Sequence, residues 1–149
     1  MLIKLAPVFP DCFPPDFTDE ILPKDMPQLT MQVYRVCKWG TIDRNAFLSS
    51  YEETIKGLRP KGRSWQRDLK KPSTYSTSCS SDIESIQGTL KCLQLYNPPA
   101  FIMEGEASFE LGPLRKTPGP DGKEKTHIDW WLYKDADPSG QFQRVEGDT

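Results

Sequence analysis

The sequence is poor in the residues that bind transition metals. Its 149 residues include one histidine, His127, and four cysteines. The cysteines are widely spaced and form no C-x-x-C pair, so with a single histidine they do not supply a zinc ligand set. They are Cys12, Cys37, Cys79 and Cys92. We therefore expect free thiols and no bound metal.

Long apolar runs and a large net charge are also absent. No segment approaches the length that crosses a bilayer, and the net charge of −2 implies neither membrane binding nor a general affinity for nucleic acid. Residues 1–7 lack the sustained apolar stretch and the cleavage site of a secretory signal. The expected location is the cytoplasm.

Proline, in contrast, is abundant, and it is concentrated in residues 1–30, which we call the N-terminal arm. This density excludes a regular helix and disfavours a central strand. Because Phe13, Phe17 and other apolar residues are interspersed, we expect the arm to pack on the domain formed by residues 31–146. The alternative is a Pro-rich segment that binds a protein partner.

Residues 31–146 show the patterns of a single domain that contains both strands and helices. Alternating apolar and polar residues predict strands over 31–38, 100–111 and 126–133, with a shorter one over 141–146. Two main helices are predicted, one from Asp43 to about Lys56 and one that begins at a Ser81–Glu84 capping box. A short strand from Thr74 would lead directly into the second helix. Residues 116–125 are predicted to be a mobile excursion.

Arg35 lies on the same face of the first predicted strand as Val33 and Cys37. A guanidinium among apolar neighbours needs a carboxylate, a carbonyl or an anionic ligand, because an isolated buried charge is costly. Alternatively, the side chain reaches water at the strand end. The hydroxyl residues around Ser78 also suit a polar or anionic ligand, or they only cap the following helix.

Residues 56–71, which we call the basic loop, carry seven Lys or Arg residues and a single acid, Asp68, with Trp65 in the middle. Such a segment binds phosphates and stacks a base, so a nucleic-acid or protein target is one hypothesis. A solvated loop is the other.

Three segments in this order resemble the Arg, Ser-Thr-Ser and Glu signature of ADP-ribosyltransferase domains, which bind NAD on a split sheet. They are Val33-Tyr34-Arg35-Val36, Tyr75-Ser76-Thr77-Ser78 and a later strand with carboxylates. With the strand and helix patterns, the resemblance implies an α+β fold. Its sheet would be small, mostly antiparallel and split or strongly twisted, with two main helices and the Pro-rich N-terminal arm.

The resemblance also implies roles for individual residues. Arg35 would anchor the phosphates or ribose of NAD, and Ser76 or Ser78 would brace the nicotinamide half. Thr77, as part of the motif, and His127 would join the NAD-binding set. The catalytic carboxylate would stabilise positive charge as the bond to nicotinamide breaks. Its candidates are Glu104, Glu106 and Asp129; the last lies where the family has its final motif, but is shorter than the usual Glu.

Two classes of function follow. The first is an NAD-dependent ADP-ribosyltransferase, such as an intracellular toxin or effector, that faces a protein or nucleic-acid target with the basic loop. The second is a non-enzymatic interaction module, either an inactive relative or an accessory or immunity-type protein, that docks through the arm and an aromatic surface with Trp130 and Trp131. Cysteine catalysis would require Cys79 or Cys37 beside His127.

Overall fold

The fold is seen in a computed structural model that describes residues 8–117 and 126–145. Its strands are β1 (Thr30–Cys37), β2 (Thr77–Ser80), β3 (Phe101–Ser108), β4 (Leu114–Lys116), β5 (His127–Trp130) and β6 (Phe142–Arg144). The α-helices are α1 (Ser50–Ile55), α2 (Trp65–Asp68) and α3 (Glu84–Tyr96). None of the helices within these residues is long and apolar enough to cross a membrane.

The six strands of the described residues form one sheet in the order β4-β5-β2-β1-β3-β6. All neighbouring strands in it are antiparallel. The predicted α+β class with an antiparallel sheet is therefore confirmed. The excursion predicted at residues 116–125 lies mostly outside the described residues.

The two faces of the sheet bury different apolar clusters. Val33 and Cys37 of β1 contribute to the larger core, together with Met103 and Ala107 of β3. Val36 lies on the opposite face, where it packs with α3 in a smaller cluster formed by Val36, Leu90, Ala100 and Ile102. These faces are the ones that the alternation in β1 and β3 predicts.

The centre of the sheet is partly open between β1 and β2. β1 pairs with β3 along its whole length, from Thr30–Ser108 to Cys37–Phe101. In the described residues, β1 pairs with β2 at a single position, Tyr34–Ser80. The two central strands therefore diverge, and side chains rather than a backbone ladder must join them beyond that point.

The helix predicted from Asp43 to Lys56 is wrong in its first half. Residues Arg44–Phe47 form a 3-10 turn, and α1 begins only after Ser49. The main reason is that the carbonyls of residues 46–48 accept hydrogen bonds from the side chains of Arg35 and Thr77, so they do not accept helical N–H groups. A capping box between Ser49 and Glu52 then begins α1.

The predicted capping box at Ser81 and Glu84 is also wrong. The N–H of Ser81 donates to the carbonyl of Thr126, which keeps Ser81 in the backbone pairing at the end of β2. The carboxylate of Asp82 instead accepts the backbone N–H of Glu84 at 3.3 Å and the hydroxyl of Ser85 at 3.2 Å. The strand predicted from Thr74 begins only at Thr77, because Pro72 opens a 3-10 turn that continues to Tyr75.

The described part of the N-terminal arm packs on the domain through its aromatic residues. Phe13 and Phe17 are buried against Tyr51, Tyr75 and Trp131. The Tyr51 hydroxyl donates to the carbonyl of Cys12 at 2.6 Å, which fastens the arm to α1. Trp130 and Trp131 are both 0% exposed, so the predicted aromatic docking surface at these residues is wrong.

Phe17→Ala tests the packing of the arm. Phe17 is 2% exposed, and its truncation should lower the free energy of unfolding by about 3–5 kcal/mol, as for other buried phenylalanines. Val8→Ala is the matched control in the same arm, because Val8 is 55% exposed. Urea unfolding measures both variants, and equal, small losses would contradict the packed arm.

Candidate functional site

A cavity with a volume of about 390 Å³ lies on the α3 side of the sheet, at the opening between β1 and β2. Its size falls within the range of ligand sites, about 300–1,000 Å³. Residues of β1 and β2, with His127 of β5, form the floor of the cavity. Residues of α3 form one wall, and residues in and around α1 form the other. The cavity therefore opens where the sheet ladder is incomplete.

The alternation of β2 gives this cavity a wall of hydroxyl groups. Ser76, Ser78 and Ser80 face it, and Ser85 and Thr126 add further hydroxyls near its α3 end. Thr126 Oγ1 lies 2.9 Å from both Ser80 Oγ and Ser85 Oγ. These groups both donate and accept hydrogen bonds, as the recognition of sugar or phosphate oxygens requires.

Thr77 and Cys79 lie on the opposite face of β2. Thr77 is buried and its hydroxyl donates to the carbonyl of Phe47, so this member of the predicted NAD-binding set supports the fold rather than lining the cavity. Cys79 packs in the larger core, and burial raises the pKa of its thiol to about 12. His127 pairs with Ser80 and not with Cys79, so the side chains of His127 and Cys79 point to opposite faces of the sheet. Catalysis by Cys79 and His127 therefore has no geometric basis.

The register between β2 and β5 brings two more predicted residues to the cavity face. Ser78 pairs with Asp129 and Ser80 pairs with His127. His127 lines the cavity, and its Nδ1 lies 2.8 Å from Thr117 Oγ1. Asp129 is 2% exposed. Its Oδ1 accepts a hydrogen bond from the hydroxyl of Ser76 and lies 3.9 Å from His127 Nε2. A carboxylate, a hydroxyl and an imidazole are thus held together beneath the cavity.

Arg35 closes the opening between β1 and β2. Its Nε donates to the carbonyl of Ala46 at 2.9 Å, Nη2 to that of Leu48 at 2.9 Å and Nη1 to that of Ser78 at 2.7 Å. The sequence left a carboxylate, a carbonyl or an anionic ligand as the partner of Arg35, and its partners within the protein are carbonyls. No carboxylate of the described residues lies within 4.0 Å of the guanidinium, so its charge remains available to an anion in the cavity that it lines.

Two further cations lie on the cavity wall, and the sequence did not reveal their role. Lys38 Nζ contacts both carboxylate oxygens of Glu53, at 2.8 and 3.0 Å, and Arg59 Nη1 lies 3.6 Å from the same carboxylate. Glu53 is 2% exposed, and it holds the two cations beside the cavity. Two positive charges face one negative charge here, so this end of the cavity carries an excess of positive charge. The residues are far apart in the sequence, which gives no local signal.

Glu104 and Glu106 lie away from this cavity. Both are on β3, and Glu104 receives a weak hydrogen bond of 3.4 Å from Gln143 on β6. Glu106 is exposed and pairs across the sheet with Gln32. Because β1 separates β3 from β2, Asp129 is the predicted carboxylate that the structure places beside Ser76 and Ser78.

Comparisons of the chain with models of protein families, with curated proteins and with solved structures found no match. No group of three or more His, Cys, Asp or Glu residues in the described ranges is arranged to hold a metal ion. Fold and site define a small α+β domain with a hydroxyl-rich and partly cationic cavity.

Arg35→Lys tests the role of the guanidinium in the fold. A lysine cannot reproduce three divergent hydrogen bonds, so carbonyls would lose their partners and the free energy of unfolding should fall by about 2–4 kcal/mol. Urea unfolding measures the loss. Arg115→Lys is the control, because the Nε of Arg115 makes no hydrogen bond within the described residues. A loss below about 0.5 kcal/mol for Arg35→Lys would contradict this role.

Proposed function

We propose that the cavity binds NAD and that the protein is an ADP-ribosyltransferase-like enzyme, which transfers ADP-ribose from NAD to an acceptor. The observation that carries the proposal is that Arg35, Ser76, Ser78 and His127 line one cavity, while the buried Asp129 contacts Ser76 and His127 beneath it. All five belong to the set that the sequence resemblance selects, whereas Thr77, Glu104 and Glu106 of that set lie elsewhere.

The cationic part of the cavity suits the diphosphate of NAD. Arg35, Lys38 and Arg59 all line it. A diphosphate carries two negative charges, and charge-assisted hydrogen bonds from guanidinium groups are among the stronger polar contacts in proteins. Apolar side chains of α3, Ile86 and Leu93, offer a surface for a planar ring.

The carboxylate side of the cavity suits the reacting end. When the bond between nicotinamide and C1′ of the ribose breaks, the bonding electron pair leaves with nicotinamide and C1′ becomes positively charged. Asp129 would stabilise that charge electrostatically, oriented by the hydroxyl of Ser76. The acceptor then forms a bond to C1′ and loses a proton. Burial of Asp129 strengthens such an interaction because the surroundings screen it less than water does.

The interaction-module hypothesis has less support from the geometry. The arm packs through Phe13 and Phe17 onto the domain, and the indoles of Trp130 and Trp131 are fully buried. An inactive relative that still binds NAD predicts the same cavity, so measurements of binding and of nicotinamide release must be made on the same protein.

Asp129→Asn separates binding from catalysis. The variant keeps the shape of the side chain but removes its charge, so NAD affinity by calorimetry should change by less than about threefold, while nicotinamide release falls by about 100-fold or more. Glu104→Gln and Glu106→Gln are matched controls outside the cavity and should keep the wild-type rate. Binding without release in the wild type would indicate either an inactive relative or an enzyme without its acceptor; addition of the acceptor would produce release only in the second case. No detectable NAD binding would overturn the proposal.

Arg59→Gln tests the diphosphate contact without disturbing the carbonyls that Arg35 holds. Loss of this charge should weaken NAD binding by about 3- to 10-fold, the effect of one exposed or partly exposed charged contact. Arg63→Gln is the matched control, since Arg63 belongs to the same basic loop but does not line the cavity. Calorimetry at low and high salt measures both, and equal losses would contradict a direct contact.

A further inference from the structure

The positive charge of the protein is concentrated in the basic loop. Residues 56–71 contain seven Lys or Arg residues and one Asp, a net charge of 7 − 1 = +6, whereas the whole chain has −2. The remaining residues therefore carry −2 − 6 = −8. A small protein with this asymmetry presents one cationic surface on an otherwise acidic body.

The cations of the loop are accessible. All seven are exposed: Lys56, Arg59, Lys61, Arg63, Arg67, Lys70 and Lys71. Among the described residues, only Arg59 and Lys71 have a carboxylate within 4.0 Å. The one acid, Asp68, is itself occupied by the hydroxyl of Ser64 at 2.8 Å. Most of the positive charge is thus not neutralised within the described chain.

An aromatic residue lies among these cations. Trp65 opens α2 and is partly exposed; one face stacks on Tyr51 with a centroid distance of 5.9 Å and an interplanar angle of 10°. Lys61 Nζ lies 5.9 Å from the centroid of the indole. Lys61 covers the other face of the indole, but its side chain is exposed and can be displaced. A base would then stack on this face while phosphates bind the neighbouring cations, as in single-strand nucleic-acid sites.

The basic loop is continuous with the cavity. Arg59 belongs to the loop and also lines the cavity, where it lies beside the buried Glu53. A chain of phosphates bound along the loop would consequently reach the mouth of the proposed NAD site.

We propose that the acceptor of the ADP-ribose is a single-stranded nucleic acid bound along the basic loop. This inference rests on the proposed function, because it names the acceptor at the same site. A nitrogen or oxygen of the nucleic acid would attack C1′ of the ribose, a new bond would form there, nicotinamide would leave with the electron pair, and the attacking group would lose its proton. Repeated phosphates match a segment of exposed cations, most of which have no carboxylate within 4.0 Å in the described residues, and the indole of Trp65 stacks on bases, which acidic peptides lack.

Binding is tested first, by fluorescence anisotropy with a labelled single strand of about 12 nucleotides, in the length range of known single-strand sites, without NAD. The variant Arg63→Gln/Arg67→Gln/Lys70→Gln should weaken binding at least about tenfold. The slope of log K against log salt should also become smaller in magnitude by about 2, because each of the three lost phosphate contacts contributes about 0.7. The control Lys24→Gln/Lys91→Gln/Lys116→Gln changes the net charge equally at exposed positions elsewhere and should keep both values near wild type.

Specificity is tested with poly-glutamate under the same conditions. Equal affinity for poly-glutamate and for the oligonucleotide would overturn the inference in favour of an acidic protein target. No oligonucleotide binding at low salt, or equal losses in the two triple variants, would also overturn it.

Transfer is tested by mass spectrometry of the oligonucleotide after incubation with NAD. The gain of one ADP-ribose unit supports the inference. NAD binding, and nicotinamide release with water as the acceptor, are measured without oligonucleotide, so a failure of the NAD proposal is distinguished from a failure of the acceptor. If NAD is bound and nicotinamide released but the bound oligonucleotide stays unmodified, the acceptor assignment is wrong.

Discussion

The three hydrogen bonds of Arg35 are the interaction on which the site depends. The guanidinium joins β1 to the carbonyls of Ala46, Leu48 and Ser78, which belong to two other segments of the chain. β1 and β2 diverge after one pair in the described residues, so a backbone ladder cannot make this connection. A planar group with five donors can, because it reaches several acceptors at once. The guanidinium that connects β1 to these segments also places a positive charge at the cavity between β1 and β2.

This interaction also explains where local patterns failed. Phe47, Leu48, Tyr51 and Ile55 have the spacing of one helix, and nothing near them in the sequence shows that the carbonyls of residues 46–48 are already engaged by Arg35 and Thr77. Hydrogen bonds from a distant strand override helix propensity, which is a weak preference. The strands were predicted more accurately, because alternation in β1 and β3 records directly which side chains face each core.

The candidate site was predictable in part for the same reason. Ser76 and Ser78 are two positions apart, as are His127 and Asp129, so each pair falls on one face of an extended segment. Only the register between β2 and β5 shows that these faces adjoin. Glu104 and Glu106 fit a carboxylate strand equally well by sequence. Their position became clear only from the strand order, which places β3 beyond β1. The ion group of Lys38, Glu53 and Arg59 has no local signal, because its members come from a strand, a helix and a loop.

Net charge was the least informative property, because it averages over the chain. A value of −2 suggested no affinity for nucleic acid, yet it combines +6 in the basic loop with −8 elsewhere. Exposed charges interact over about 10 Å at moderate ionic strength, so a ligand at the loop responds to the local excess and hardly to the distant acids. Near the start of the loop, Arg59 contacts Glu53, whose carboxylate also binds Lys38 at the cavity. One buried carboxylate thereby links the first part of the cationic surface to the wall of the cavity.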